Sequence, residues 1–426
     1  MDLYAGVDVG TSGVRLCLID AEGTLVFKAT IPLPKGRQDG PRHEQDPNAW
    51  WLALSALLKA IPEDKAQQIR ALSLDGTSGS LLLADEQGQP LGPTLMYNDA
   101  RATVEAKSIA SHAPRESGAH GASSSLARLL WLMEHTDTSE VRYALHQTDW
   151  LLGKLAGAYG FSDENNCLKL GYDPVQRQWP EWINELGIST EWLPRVEEPG
   201  TAIGTIDAQI AADLGLPHDV KICTGTTDSI AAFLATGASA IGDAVTSLGS
   251  TLAIKVLSDR PVFAPEYGVY SHRLWDRWLV GGASNSGGAV LLQHFTPEQM
   301  QALTEHLVPE IPSGLDYYPL PSKGERFPVS DPELEPRLEP RPDVEARFFQ
   351  GLLEGIAHIE QQAYQKLHEL GAPWPHSLRT VGGGSHNPAW TQIRQQLLQI
   401  PFTQPQQEDA AYGAALLARR GIMRPA

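Results

Sequence analysis

The stretch GVDVGTSGVRLCLID (6–20) constrains this chain most. Two apolar runs, YAGVDV (4–9) and VRLCLID (14–20), flank a GTSG turn. That spacing predicts a β-hairpin, which TLVFKATI (24–31) extends into a meander. An acidic residue, Asp8, closes the first run, and burying a carboxylate is costly unless something pairs with it. It either forms an Asx-turn leading into Gly10 or serves a metal–phosphate group.

The pattern recurs. Glycine-and-hydroxyl turns follow apolar runs at GTTD (225–228), LGST (248–251) and GGGSHN (382–387). Such turns can present successive N–H groups to phosphate oxygens, and glycine lets the backbone come close. DAVTSLGSTLAIKV (243–256) repeats the strand–turn–strand design of residues 4–20, so two halves with related starts are expected, divided near 238–242. Helices are expected at 46–61, capped by Asp46, at 122–136, 343–370, 389–399 and 408–420. RALSLD (70–75) and SLLLAD (80–85) are strand-like and split by a second GTSG, either a hairpin turn or a ligand loop. The proline-rich segment 319–342 reads as an irregular covering segment.

Composition excludes several function classes. The net charge of −18 is poor for gripping a polyanion, so no nucleic-acid partner is expected. Cys17, Cys167 and Cys223 are too scattered for a disulfide framework or zinc site, which fits a reducing, cytoplasmic setting. No leader and no membrane-spanning apolar run are evident. His43, His272 and His294 lack metal-ligand spacing, and Trp275 and Trp278 read as packing residues. The P-loop, G-x-G-x-x-G and H-E-x-x-H motifs are absent. A second acid, Asp228, follows Thr226 and Thr227 where a strand meets a helix; it either caps that helix or acts as a base.

GVDVGTSGVRLCLID, CTGTTDSIAAFLATGA, TSLGSTLAI, GGASNSGGA, SGLDYYPLPSKGERFPVSDP and VGGGSHNPAW stand in the order found in FGGY carbohydrate kinases, and the chain resembles that family along nearly its whole length. It is similar to a compact cyanobacterial and plant branch of xylulose-kinase-like or D-ribulose kinases. The resemblance implies an α/β, two-lobed actin-like ATPase (ribonuclease H-like) fold. Each lobe would be a mixed sheet flanked by helices, with the active site in the cleft. It implies an N-terminal domain over 1–240, holding the sugar and the first phosphate loop. A C-terminal domain over 241–426 would hold the second phosphate loop and the adenosine site. It further implies ATP and Mg2+ as cofactors and a small sugar as the other partner; the oligomeric state is not legible.

By the same resemblance, Asp8 orients magnesium, through water, and the sugar. Gly10, Thr11 and Ser12 form the first phosphate loop, with Thr11 facing the γ-phosphate, and Asp228 is the catalytic base. Gly249, Ser250 and Thr251 form the second loop; Gly383, Gly384 and Asn387 serve adenosine, and Gly288 lies along the nucleotide. SLDGTSGSLLLAD stands where xylulose kinases carry Met-His-Gly and looks like the Asp-Ala-Thr-Cys stretch of ribulokinases, so Asp75 and Ser78 are expected to bind sugar. PTLMYNDARA matches a family block with Tyr97 in place of the usual Trp; Asn98, Asp99 and Arg101 could instead start a helix capped by Asp99. HEQDPNAWW reads as a capped helix with Trp50 and Trp51 in the core. The activity implied is phosphorylation of a ketopentose, D-ribulose before D-xylulose. A sugar-binding or nucleotide-switched protein without turnover is the alternative from another class.

Overall fold

A computed structural model describes residues 1–423. The chain divides into two compact units, one of Met1–Ala235 joined by the chain from Asp409 on, the other Thr236–Glu408. The sequence division at 240 lies close to the first boundary, whereas residues from Asp409, expected with the second half, pack with the first unit.

The first unit is built on a seven-stranded sheet. It contains β1 (Leu3–Val9), β2 (Gly13–Ile19), β3 (Leu25–Pro32), β6 (Ile69–Gly76), β12 (Ala202–Thr205), β13 (Lys221–Cys223) and β14 (Thr226–Thr227), strands being numbered in chain order. β1, β2 and β3 form the expected antiparallel meander, while β6 lies parallel to β1 and to β13 and β14. Both faces of β1 are buried, which explains why it reads as apolar on both sides except at Asp8. The helix Ala410–Met423 covers one face, and Gly6 permits it: a Cβ there would sit 2.0 Å from the Ala415 amide. The helix Pro47–Lys59 is capped by Asp46, which accepts from the Asn48 amide, and it packs Trp50 into the core; Trp51 is only half-buried.

A second sheet in this unit contains β4 (Arg37–Asp39), β5 (Arg42–Glu44), β7 (Leu81–Ala84), β8 (Pro90–Leu95) and β9 (Tyr143–His146). β6 and β7 therefore lie in different sheets. The turn between them is not a hairpin, and the hairpin alternative for residues 76–79 is overturned. β10 (Phe161–Asp163) and β11 (Arg195–Glu197) form a small parallel pair.

The second unit carries β15 (Asp243–Leu248), β16 (Leu252–Ser258), β17 (Tyr270–Leu274), β18 (Arg277–Ala283) and β19 (Ser377–Val381), ordered β17-β18-β16-β15-β19. β19 is parallel to β15, and the other pairs are antiparallel. The helix Glu345–Glu369 lays Phe349, Leu352, Leu353, Ile356, Ala363, Tyr364 and Leu367 into the core, the stripe its periodicity predicts. Among the described residues, no helix is long and apolar enough to cross a membrane.

Candidate active site

Asp8, Asp75 and Thr226 share one register across β1, β6 and β14, near the carboxyl ends of three mutually parallel strands. Asp228 follows directly, as the first residue of the helix Asp228–Ala235. Its carboxylate accepts from the Ser229 amide at 2.6 Å, so it serves the helix start while remaining half-buried. Asp8 is not in an Asx-turn: its Oδ2 accepts from Arg15 across the hairpin at 2.7 Å. Burial raises the Asp8 carboxyl above its usual range, and Arg15 offsets part of the effect.

Asp75 is fully buried; no amide, hydroxyl or cationic donor reaches its oxygens, and the one side-chain hydrogen bond open to it is with another acid, Asp8. Burial pushes it well above the usual carboxylate range, and the charges of Asp8, Asp228 and Asp409 push it further. A buried carboxyl without a cation or neutral donor is expensive to ionise. Gln147 Nε2, Asn165 Oδ1 and Thr227 Oγ1 are buried and unpartnered in this unit, and Asn165 Nδ2 donates to Thr226 Oγ1 at 3.0 Å.

The loop after β6 is held from behind. The Gln147 amide oxygen accepts from the Thr77 amide and hydroxyl, leaving Ser78 half-buried at the bend. Arg128, fully buried and with no carboxylate ion pair among the described residues, donates to the carbonyls of Gly79 at 2.6 Å, Asp99 at 2.9 Å and Tyr97. Burial lowers its guanidinium to about 10. Asp99 caps no helix, since the next one begins at Thr103. It instead accepts from Arg101 and the His43 amide, and Arg101 also reaches Glu44 at 2.8 Å. Burial opposes ionisation of Asp99, but these donors hold it below its usual value. Tyr97 is 42 % exposed beside this network.

In the first glycine turn, Gly10 N–H donates to Gly13 O, Gln45 Nε2 holds Thr11 O at 2.8 Å, and the Thr11 and Ser12 side chains are exposed. In the second unit, a cavity of about 770 Å³ gathers Gly249, Ser250, Gly288, Gly383, Gly384 and Asn387 against Leu291, Met300, Phe349 and Trp390. Six of the ten residues expected along a nucleotide thus line one cavity with an apolar wall, while Gly10, Thr11, Ser12 and Thr251 are not among its lining residues. Thr251 is exposed at the same turn. The Asn387 side chain caps the helix Pro388–Leu398, accepting from the Trp390 amide and donating to Thr304.

Sequence reading missed Arg15, Arg128, Gln147 and Asn165. Arg128 sits inside an apolar helical run, LARLLWL, where periodicity marks only the neighbours. The NN pair at 165–166 ahead of Cys167 was a detectable polar signal in a buried setting. Among the described residues, no three His, Cys, Asp or Glu side chains cluster as a metal site.

Two units with matching sheet order, neighbouring acids in one and a cavity with an apolar wall beside a glycine turn in the other, define the actin-like ATPase fold in its carbohydrate-kinase form. Residues 3–235 match the N-terminal domain, and residues 244–422 the C-terminal domain, of the FGGY family of carbohydrate kinases; the chain belongs to that family. It is 24% identical to the xylulose kinase of Escherichia coli, over 98% of this chain and 90% of that one. It is 27% identical to the xylulose kinase of Streptomyces coelicolor, over 98% and 87%. The crystal structure of a xylulose kinase from Brucella ovis superposes with a TM-score of 0.87 at 27% identity, covering 98% of this chain and 90% of that one.

Proposed function

We propose that this chain is an ATP- and magnesium-dependent ketopentose kinase that transfers the γ-phosphoryl group to a primary hydroxyl. D-ribulose is the leading substrate and D-xylulose the alternative. The observation that carries the reading is Asp75, a fully buried carboxyl whose one side-chain partner is another acid, Asp8, between Asp8 and the strand leading to Asp228. Its oxygens suit sugar hydroxyls, and the neighbouring half-buried Ser78 adds a further polar group. The Asp75-Gly-Thr-Ser sequence favours D-ribulose; the names of the relatives favour D-xylulose.

In this reading Asp228 accepts the proton of the attacking sugar hydroxyl as its oxygen bonds to the γ-phosphorus and ADP leaves. Thr11 and Ser12 offer N–H and hydroxyl donors to the γ-phosphate, with Gly10, its own N–H bonded to Gly13 O, shaping the turn that aims them; Gly249, Ser250 and Thr251 offer donors to the other phosphates. Gly383, Gly384 and Asn387 border adenosine, with Gly288 alongside. The first unit thus takes the sugar and the second the adenosine. The hard oxygen donors of the Asp8 carboxylate fit magnesium held through water, which would neutralise phosphate charge.

The test is ADP release with D-ribulose, D-xylulose, L-ribulose, glycerol and no sugar. Asp228→Ala is expected to lower kcat about 10²–10⁴-fold while retaining nucleotide binding. Equal sugar-independent release by both proteins would overturn the assignment.

A further inference from the structure

The proline-rich segment 319–342 was expected only to cover the fold, yet it delivers one buried carboxylate, Glu325, 3% exposed. Isolated bridges set its place: Tyr318 pairs with Arg337 and Glu325 with Asp331. No cation pairs with Glu325 among the described residues, and its side chain is held by neutral donors. Oε2 accepts from Ser284 Oγ at 2.5 Å and Tyr318 OH at 3.2 Å; Oε1 accepts from the amides of Asn285 at 2.8 Å and Arg326 at 2.9 Å. Asn285 Nδ2 donates back to Gly324 O at 2.9 Å, and Ser286 Oγ to Pro319 O at 2.5 Å.

The loop so gripped continues directly into the second glycine turn. Ser284 N–H donates to Leu252 O, and Leu252 N–H donates to Ser286 O. Gly288 N–H then donates to Gly249 O at 2.8 Å, and Ala289 N–H to Ser250 O at 3.0 Å. The approach is so close that a Cβ on Gly287 would lie 2.8 Å from Ser250 O. The conformation of Gly249–Thr251 is therefore set by residues 284–289, and theirs by Glu325.

We propose that Glu325 is a positioning residue for the turn Gly249–Thr251, so that it governs nucleotide affinity without touching the nucleotide. The inference rests on the assignment of that turn to phosphate. A buried carboxylate costs more than an apolar side chain would, and two directed acceptor contacts on the 284–289 loop, with two more that fix Glu325 to its own segment, are what it supplies in return. Phosphate binding depends on N–H groups aimed in advance, and a loosened turn loses that aim.

The test compares Glu325→Ala, Glu325→Gln and Ser284→Ala with wild type by titration of Mg·ADP without sugar, by KM for ATP and for the ketose, and by Tm. Glu325→Ala is expected to weaken ADP binding and raise the ATP KM by about tenfold or more, with the sugar KM within about twofold. Glu325→Gln is expected to restore most of the affinity. Its amide oxygen can still accept the two backbone N–H groups, and the Ser284 and Tyr318 hydroxyls can reverse to accept from its NH2. Ser284→Ala, which removes one contact and spares the fold, is expected to fall between. Unchanged ADP affinity in folded Glu325→Ala and Ser284→Ala, or equal loss in sugar and ATP KM, overturns the proposal. Absence of ADP binding by wild type would instead refute the phosphate assignment of the turn.

Discussion

The hairpins β1–β2 and β15–β16 are built alike and charged differently. Each is continued by a third antiparallel strand on one side and flanked by a parallel strand on the other, β6 beside β1 and β19 beside β15. The last ladder pairs are Val9 with Val14 and Leu248 with Leu252. One step back stand Asp8, Arg15 and, on the parallel strand, Asp75 in the first hairpin. Their counterparts are Ser247, Ala253 and Val381. Every charged position of the first is neutral in the second. The same backbone turn thus serves two purposes, one beside neighbouring acids and one beside a cavity with an apolar wall. The faint echo between residues 4–20 and 243–256 is a true topological repeat, and the divergence falls on the side chains where chemistry and nucleotide packing differ.

The largest expected effect comes from testing that asymmetry at one register. Asp8→Ala is expected to lower turnover by about 10³-fold or more, whereas Ser247→Ala, at the equivalent position, is expected to stay within about twofold. Comparable losses in the two variants, read as kcat, would break the comparison. A smaller effect separates turn geometry from turn function. A Cβ on Gly249 would meet nothing nearer than Thr251 O at 3.7 Å, ordinary contact, so Gly249→Ala should leave Tm unchanged. If phosphate approaches that backbone, the same methyl should weaken ADP binding about tenfold. A variant that melts and binds like wild type would remove Gly249 from the phosphate site.

What was legible in the sequence is what short range determines. Strands 4–9, 14–20 and 243–256, the helix 343–370 and the Asp46 cap follow from periodicity and local hydrogen bonding. Asp8, Asp75 and Asp228 stood out because an acid at the end of an apolar run is anomalous. Non-local pairing was not legible. Nothing in RALSLDGTSGSLLLAD reveals that its two strands enter different sheets, or that the helix after Asp409 returns to Gly6. Arg128 and Glu325 were hidden for a similar reason: Arg128 donates to main-chain carbonyls, and Glu325 accepts from Ser284 and the Asn285 amide, partners tens of residues away that leave no composition signal.

Buried acids are kept in two ways, by a cation or by neutral donors alone, and pH provides the finest test. In the second unit, Glu360 is held by Arg394 at 2.6 and 2.7 Å. In the first, Asp163 is fully buried with only neutral donors, the amides of Asn165 and Asn166 and the Asn166 side chain. Burial, aided by the charge of Asp149, raises its carboxyl to about 7. The native state therefore holds a proton that the unfolded chain, with an ordinary carboxyl near ~4, releases. Stability from this group is complete below pH ~4 and is lost as pH rises through about 7. Asparagine cannot ionise, and its Oδ1 can still accept both backbone amides. The Tm of Asp163→Asn should accordingly fall less than that of wild type between pH 5 and 8. Parallel curves would mean that Asp163 stays ionised in the folded state despite its burial.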